Sequence, residues 1–390
     1  MKFAALTEHI NRDRIDAWAV HNRAITRLEA GEPVIMLSIG QEGDEQTPAD
    51  IVAAANNSLQ AGRHHYSQVE GDPVLRAAIA RYHTNLTGQA VTAENCTVHT
   101  GAQNALFSVA MCLLQNGDDV ILSEPHYTTY PATLTASGAN PIRLPVSADN
   151  DFVLDPRAVK NALTPNTRMI VLNSPSNPLG TLHTRDQYEA ILDMCLERDI
   201  WLVSDDVYLP LVEPADRVSV AALPGADRVC ISICSLSKSH RMTGWRVGWV
   251  VAPELLAEHI GRLSLCMHYG MPPFVQDAAV KALESDAITT TVRAAMRERR
   301  TLVNETLSPT NSVTLFDSGV GMFVVLDVSG TGLTADEFAS RLLDAHNVST
   351  LPCDGFGPAG KFLIRVGLCV DGEQLRTACE RINTFMRELS

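Results

Sequence analysis

The stretch C-S-L-S-K-S-H-R-M-T-G-W-R-V-G-W, residues 234–249, joins two apolar runs, 229–234 and 247–252, through a polar turn that carries a lysine. Lys238 stands among small hydroxyl residues, Ser235, Ser237 and Ser239. A lysine placed just after a buried strand is costly, because its ammonium loses water there. The same desolvation lowers its pKa and frees the amine as a nucleophile. Arg246 follows between Gly244 and Gly248. Glycines let backbone come close to a ligand, and a guanidinium suits a phosphate. Taken alone, Lys238 reads more simply as a solvated loop lysine beside a structural arginine.

Outward from that turn the chain keeps one rhythm. Short runs rich in Val and Ile recur at 95–99, 119–123, 169–173, 201–204, 229–234 and 247–252, each bounded by turn residues. Runs of that kind suit strands buried on both faces. Amphipathic stretches at 73–84, 102–115 and 184–198 lie among them. The alternation predicts an α/β fold, a mostly parallel sheet covered by helices. The last third changes character, with a long helical stretch at 273–307, a strand at 321–328, a helix at 334–346, a strand at 362–368 and a helix from 373. That mixture predicts a smaller α+β domain, joined by the start of the chain. The expected division is 47–290 for the large domain, and 1–46 with 291–390 for the small one.

Bulk properties narrow the function. The 390 residues exceed one ordinary small domain, and 45% hydrophobic with 19% charged residues suits a chain that buries a core. A formal net charge of −14 argues against nucleic acid or an anionic membrane as partner, since both need a basic face. It leaves a small anionic ligand open, because a few local cations override the overall field. The nine cysteines are odd in number and form no C-x-x-C pair, which predicts free thiols in a reducing compartment and no disulfide framework or metal site. Residues 1–10 have no apolar signal-peptide core, and no uncharged apolar run approaches about 18 residues. A cytoplasmic protein is expected.

With its neighbours included, S-L-S-K-x3-M-x-G-x-R-x-G at 235–248 resembles the lysine signature of the class I/II aminotransferases, fold type I of the pyridoxal-phosphate enzymes. Spacing and residue types both match, and further motifs follow in the family's order over most of the chain. The resemblance implies that pyridoxal 5'-phosphate (PLP) forms a Schiff base with Lys238, and that Ser235, Ser237 and Arg246 bind the cofactor too. Thr100-Gly101-Ala102-Gln103 opens a helix after a strand, where free N–H groups face an anion. In the family this turn, here Gly101, Ala102 and Gln103, cradles the cofactor phosphate. Tyr127, in E-P-H-Y at 124–127, is implied to stack on the pyridine ring.

The turn N-S-P-S-N-P-L-G at 173–180 resembles the family's N-x-P-x-N-P-x-G, which aims Asn177 at the phenolic oxygen of the cofactor. S-D-D-V-Y at 204–208 stands where the family usually has D-E-x-Y. The resemblance pairs Asp205 with the pyridine nitrogen, sets Tyr208 beside Asn177, and leaves Asp206 best read as a solvated acid. Tyr66 begins a Y-x4-G-x3-L-R segment whose tyrosine, in the family, reaches the neighbouring subunit's cofactor. A homodimer with shared active sites follows from that. Arg365, a charge centred in the apolar strand F-L-I-R-V-G at 362–367, is implied to fork onto the substrate α-carboxylate, with Gly40 and Asn177 also at the substrate.

The implied reaction moves an amino group from an amino acid to a 2-oxo acid. Residues 235–251, 265–279 and 321–327 look closer to one branch, the arginine–pyruvate transaminases, so a basic donor is expected. Glu42, Asp44 and Glu45 either form an acidic rim for that donor's side chain or an exposed acidic loop. Residues 265–273, where dicarboxylate enzymes place an arginine, contain none. The loop from Gly40 departs from the family's G-x-P-D-x-x-T-P: it reads G-Q-E-G-D-E-Q-T-P, without the proline and one residue longer. Two alternatives keep the cofactor and change the fate of the substrate carbanion, a β- or γ-lyase and an oxygen-using oxidase. A non-catalytic sensor on the same fold fits less well, since no DNA-binding extension is evident.

Overall fold

The computed structural model describes residues 2–10, 16–42, 46–308 and 310–389. Its centre is a seven-stranded sheet in the order Cys96–His99, Gly248–Val251, Cys230–Ser235, Trp201–Asp205, Thr167–Asn173, Asp119–Glu124, Asn140–Pro145. Neighbours pair in parallel except Gly248–Val251, which runs antiparallel to both of its neighbours. Val, Ile and Leu fill these strands because helices cover both faces: Ile121, Ile170, Leu202 and Ile231 are completely buried. Each such side chain contributes about 1.5–3 kcal/mol relative to exposure.

This topology positions the site. The turns after Cys96–His99, Asp119–Glu124, Thr167–Asn173, Trp201–Asp205 and Cys230–Ser235 all leave the same edge of the sheet, since those strands run the same way. That edge is where ligands bind in open α/β sheets. It gathers the segments carrying Gly101, Tyr127, Asn177, Asp205 and Lys238.

A second sheet has four strands in the order Leu351–Pro352, Leu363–Gly367, Phe323–Asp327, Thr314–Phe316, all antiparallel. The early strand Ile35–Met36 pairs in parallel with Val348–Ser349, which brings the start of the chain to its end. Helices Ala335–His346 and Gly372–Glu388 bury Phe338 and Phe385 edge to face with centroids 4.9 Å apart.

Three local readings change. The helix expected over 273–307 is two, Pro273–Leu283 and Ala287–Thr306. Ser285 Oγ takes the Ala287 N–H, the donor a continuous helix would send to Leu283. Asn140–Pro145 is an extra edge strand, hidden in the sequence because it holds two prolines and an arginine and is only half-buried. Helix Ala49–Gln60 was also not foreseen; it buries Ile51, Ala55 and Ser58 at helical spacing. All nine cysteines are free, and seven of them are buried. Among the described residues no helix is long and apolar enough to cross a membrane.

Candidate active site

One end of the site is built for an anion. Gly101 turns the chain at φ 94° into helix Ala102–Leu113, whose first N–H groups have no partner within the helix. A side chain at Gly248 would put its Cβ 2.5 Å from the Gly101 carbonyl carbon and 2.6 Å from the Ala102 nitrogen, so only glycine lets strand and turn meet. Arg246 lies against Gly101, its guanidinium donating to the Thr243 and Thr100 carbonyls at 2.8 and 3.2 Å. Its backbone is held at φ 56°, a conformation that costs about 1–3 kcal/mol in a residue with a Cβ. Ser235 and Ser237 stand at the start of the short helix Leu236–Ser239, Ser235 Oγ accepting the Ser237 N–H.

The other end gathers amides and hydroxyls around a buried carboxylate. Asn173 fixes two neighbours at once: its Oδ1 accepts the Asn177 N–H at 2.8 Å, and its Nδ2 donates to the Asp205 carbonyl at 3.1 Å. Asn177 Nδ2 points to the Tyr208 hydroxyl at 3.5 Å. Burial pushes the Tyr208 hydroxyl and the Asp205 carboxyl both above their ordinary pKa values, and donors from Tyr130 and Val207 hold Asp205 back. These groups, with Tyr127, Lys238, Arg246, Ala102 and Gln103, line one cavity of about 200 Å³.

Lys238 is nearly buried, and its Nζ donates to the Gly40 carbonyl at 2.8 Å. Burial pulls its ammonium down to about 8, and Arg365 and Arg246 push the same way. An amine attacks only when neutral. At pH 7 about a tenth of a lysine with pKa 8 is neutral, against a few in ten thousand for an ordinary one. The rate at which cofactor-free protein captures PLP is therefore expected to rise about tenfold per pH unit up to about 8 and then level off. Stopped-flow absorbance would follow it; a rise continuing unbroken to pH 10 would show an ordinary lysine.

Arg365 sits in the middle of strand Leu363–Gly367 and is buried. Its guanidinium donates to Asn177 Oδ1 at 2.9 Å and to the Ser38 carbonyl at 2.7 Å, over the Phe323 ring at 4.0 Å. Among the described residues its Nε has no hydrogen-bond partner and its charge meets no carboxylate. Gly40 and Asn177 thus meet Lys238 and Arg365 directly.

The donor set fits PLP: a primary amine for its aldehyde, a helix N-terminus with Arg and Ser for its phosphate, a buried carboxylate for its ring nitrogen. Gly101, Ala102, Gln103, Tyr127, Asn177, Asp205, Tyr208, Ser235, Ser237, Lys238 and Arg246 converge at this one place. Tyr66 does not; it is 87% exposed and stands edge-on to Tyr269 at 5.1 Å, away from the cavity of its own chain.

Two acids behave otherwise than expected. Asp206 is no solvated acid: it is buried, accepts the Ser204 hydroxyl at 2.7 Å, and burial raises its carboxyl to about 7. Glu42 is not part of an exposed loop. It is buried between Arg241 at 2.5 Å and Arg299 at 2.8 Å, so its charge is already matched inside the protein. Asp44 and Glu45 lie outside the described residues. An open cleft of about 600 Å³ beside Lys238 is lined by Gln41, Glu42, Thr47, Asn56, Arg241 and Trp245, among others. No role was expected for Tyr130, Asn173, Ser38 or Phe323, although Asn173 opens the turn 173–180, Phe323 lies within 321–327, and Ser38 and Tyr130 stand two and three residues from Gly40 and Tyr127.

Fold and site together define a PLP-dependent transferase. The sequence model of the aminotransferase class I and II family matches residues 32–382, and the chain belongs to that family. It is 46% identical over 391 aligned residues to the arginine–pyruvate transaminase of Pseudomonas aeruginosa, covering 100% of this chain and 99% of the relative. It is 31% identical to the aspartate aminotransferase of Pyrococcus horikoshii, over 91% of each chain. The solved structure of Thermus thermophilus aspartate aminotransferase with maleate superposes with a TM-score of 0.92 at 27% identity, covering 99% of this chain and 100% of that one. The protein is a transaminase.

Proposed function

We propose that this transaminase takes the α-amino group from arginine, or another basic amino acid, and passes it to pyruvate or a similar 2-oxo acid. The observation that carries the reading is the 46% identity to an arginine–pyruvate transaminase along the whole chain, where the aspartate aminotransferase named above shares 31%. The absence of arginine from residues 265–273 agrees with it.

The residue roles proposed for this reaction are those the geometry favours. When bound, the cofactor supplies a protonated ring that draws electrons from the substrate Cα. Asp205 holds a negative charge for the ring nitrogen. Asn177 and Tyr208 converge on one point, where they donate to the ring oxygen, and Tyr127 covers the ring face. The amides of Ala102 and Gln103, with Ser235, Ser237 and Arg246, hold the phosphate. Arg365 orients the substrate carboxylate, and Gly40 walls that place. Lys238 then takes the Cα proton on Nζ, beside the Gly40 carbonyl that accepts an N–H from the charged amine. The Tyr66 hydroxyl serves the partner's site in a homodimer, a reading its exposure supports. We place this dimer in the cytoplasm, where its nine free thiols stay reduced. We also divide the chain into a large domain, 47–290, and a small one, 1–46 with 291–390, on the ground that each contains its own sheet.

The test is a panel of amino-acid donors with pyruvate. Arginine is expected to give the highest kcat/KM, with one alanine formed per donor consumed and no ammonia. A preference for aspartate would overturn the donor assignment. Ammonia with peroxide, or ammonia with loss of a side-chain group, would overturn simple amino transfer.

A further inference from the structure

Asp205 is held from a direction that the sequence motifs do not show. The Tyr130 hydroxyl donates to Asp205 Oδ2 at 2.5 Å, while Val207 N–H takes Oδ1 at 3.2 Å. Tyr130 is 3% exposed and opens the short helix Tyr130–Thr135. Its ring also meets Tyr127 edge to face, centroids 5.6 Å apart. One residue therefore touches both the group proposed for the ring nitrogen and the group proposed for the ring face.

Its own position is fixed from behind. The Tyr130 N–H donates to the Tyr127 carbonyl at 3.0 Å and closes the turn. Gln103, on the helix proposed to bind the phosphate, donates to Thr133 Oγ1 at 2.7 Å and accepts the Thr129 hydroxyl at 2.5 Å. The residues on either side of Tyr130 are thus tied to the phosphate end, and its hydroxyl is delivered to the nitrogen end.

We propose that Tyr130 is a positioning residue for PLP, which acts through Asp205 by fixing the orientation of that carboxylate and keeping it ionised where the ring nitrogen docks. The proposal rests on the reading of Asp205 as the ring-nitrogen partner. A short hydroxyl-to-carboxylate bond belongs to the strong, charge-assisted class. A buried carboxylate without such donors takes up a proton and ceases to be an anion. The edge-to-face contact with Tyr127 needs only the ring, so Tyr130→Phe removes the hydroxyl and spares the packing.

The experiment is a double-mutant cycle on full-length protein, read as the dissociation constant of PLP from equilibrium dialysis of the cofactor-free form. Asp205→Asn is expected to weaken PLP by about 100-fold. Tyr130→Phe is expected to weaken it by about tenfold to a hundredfold, the range for a bond to a charged group. In the Asp205→Asn background the same Tyr130→Phe change is expected to have an effect within about twofold. With saturating PLP, Tyr130→Phe should lower kcat and leave KM for the donor unchanged, since Tyr130 serves the cofactor. If Tyr130→Phe weakens PLP equally in both backgrounds, or in neither, while Asp205→Asn does weaken it, the positioning role is overturned and the reading of Asp205 survives. If Asp205→Asn itself leaves PLP binding unchanged, that reading falls and the proposal with it.

Discussion

Replacing Lys238 with alanine is expected to lower kcat/KM by about 10⁴-fold or more and to abolish the absorbance band of lysine-bound PLP, with the fold retained. The size follows from the two tasks proposed for one atom. Nζ binds the cofactor covalently, and it carries the proton from Cα; positioned proton transfer alone contributes about 10²–10⁴-fold. No second amine stands ready, because Lys238 is the only lysine among the described residues that line the cavity. Arg246 and Arg365 cannot substitute, since a guanidinium does not lose its proton in proteins. Fold should survive because the lost interaction is a single hydrogen bond to the Gly40 carbonyl, and burying the ammonium was itself unfavourable. Absorbance and steady-state kinetics on the purified variant would check it. Turnover within about tenfold of wild type would sink the assignment.

The residues proposed for the site were legible wherever a local turn carries them. Gly101, Asn177, Asp205 and Lys238 each sit in or just beside a strand-to-loop junction whose prolines, glycines or hydroxyls are visible in a window of a few residues. The same holds for the large sheet, whose strands announce themselves as Val- and Ile-rich runs. What stayed hidden depends on contacts between distant segments. Nothing near Glu42 in sequence says that Arg241 and Arg299, about 200 and 257 positions away, will close over it. Tyr130 and Asp205 lie 75 residues apart and meet only because their strands end at one edge of the sheet. Asp206 looked solvated because two adjacent acids usually are; a parallel sheet buries it behind the site instead. The break in the helix at 284–286 turned on one serine hydroxyl, a detail below the resolution of periodicity.

Arg365→Lys is expected to reduce kcat/KM for amino-acid donors by about 10²–10³-fold, through KM, while PLP remains bound and its absorbance is unchanged. The wild-type guanidinium is fixed on three sides: Asn177 Oδ1 and the Ser38 carbonyl take two N–H groups, and Phe323 supports its face. Neither hydrogen-bond partner is charged, so the arginine keeps a full positive charge in a buried place, and burial pulls its pKa below the ordinary value. Such a charge is unfavourable until an anion arrives. In the role proposed for Arg365 a substrate carboxylate supplies that anion, and the planar fork offers it paired donors. Lysine keeps the charge and loses the fork; of its three N–H donors at most one is left for the ligand once Asn177 and Ser38 are held. Losing a buried, hydrogen-bonded charge pair costs about 2–5 kcal/mol, or about 30- to 5,000-fold, and the loss stated lies inside that range because lysine keeps the charge. The same reasoning predicts that a non-reacting monocarboxylate raises the Tm of wild type more than that of Arg365→Lys, because it stabilises most the protein whose guanidinium fork can hold it. Equal protection of both proteins by that monocarboxylate would place the carboxylate elsewhere and leave Arg365 a structural cation held by Asn177 and Ser38.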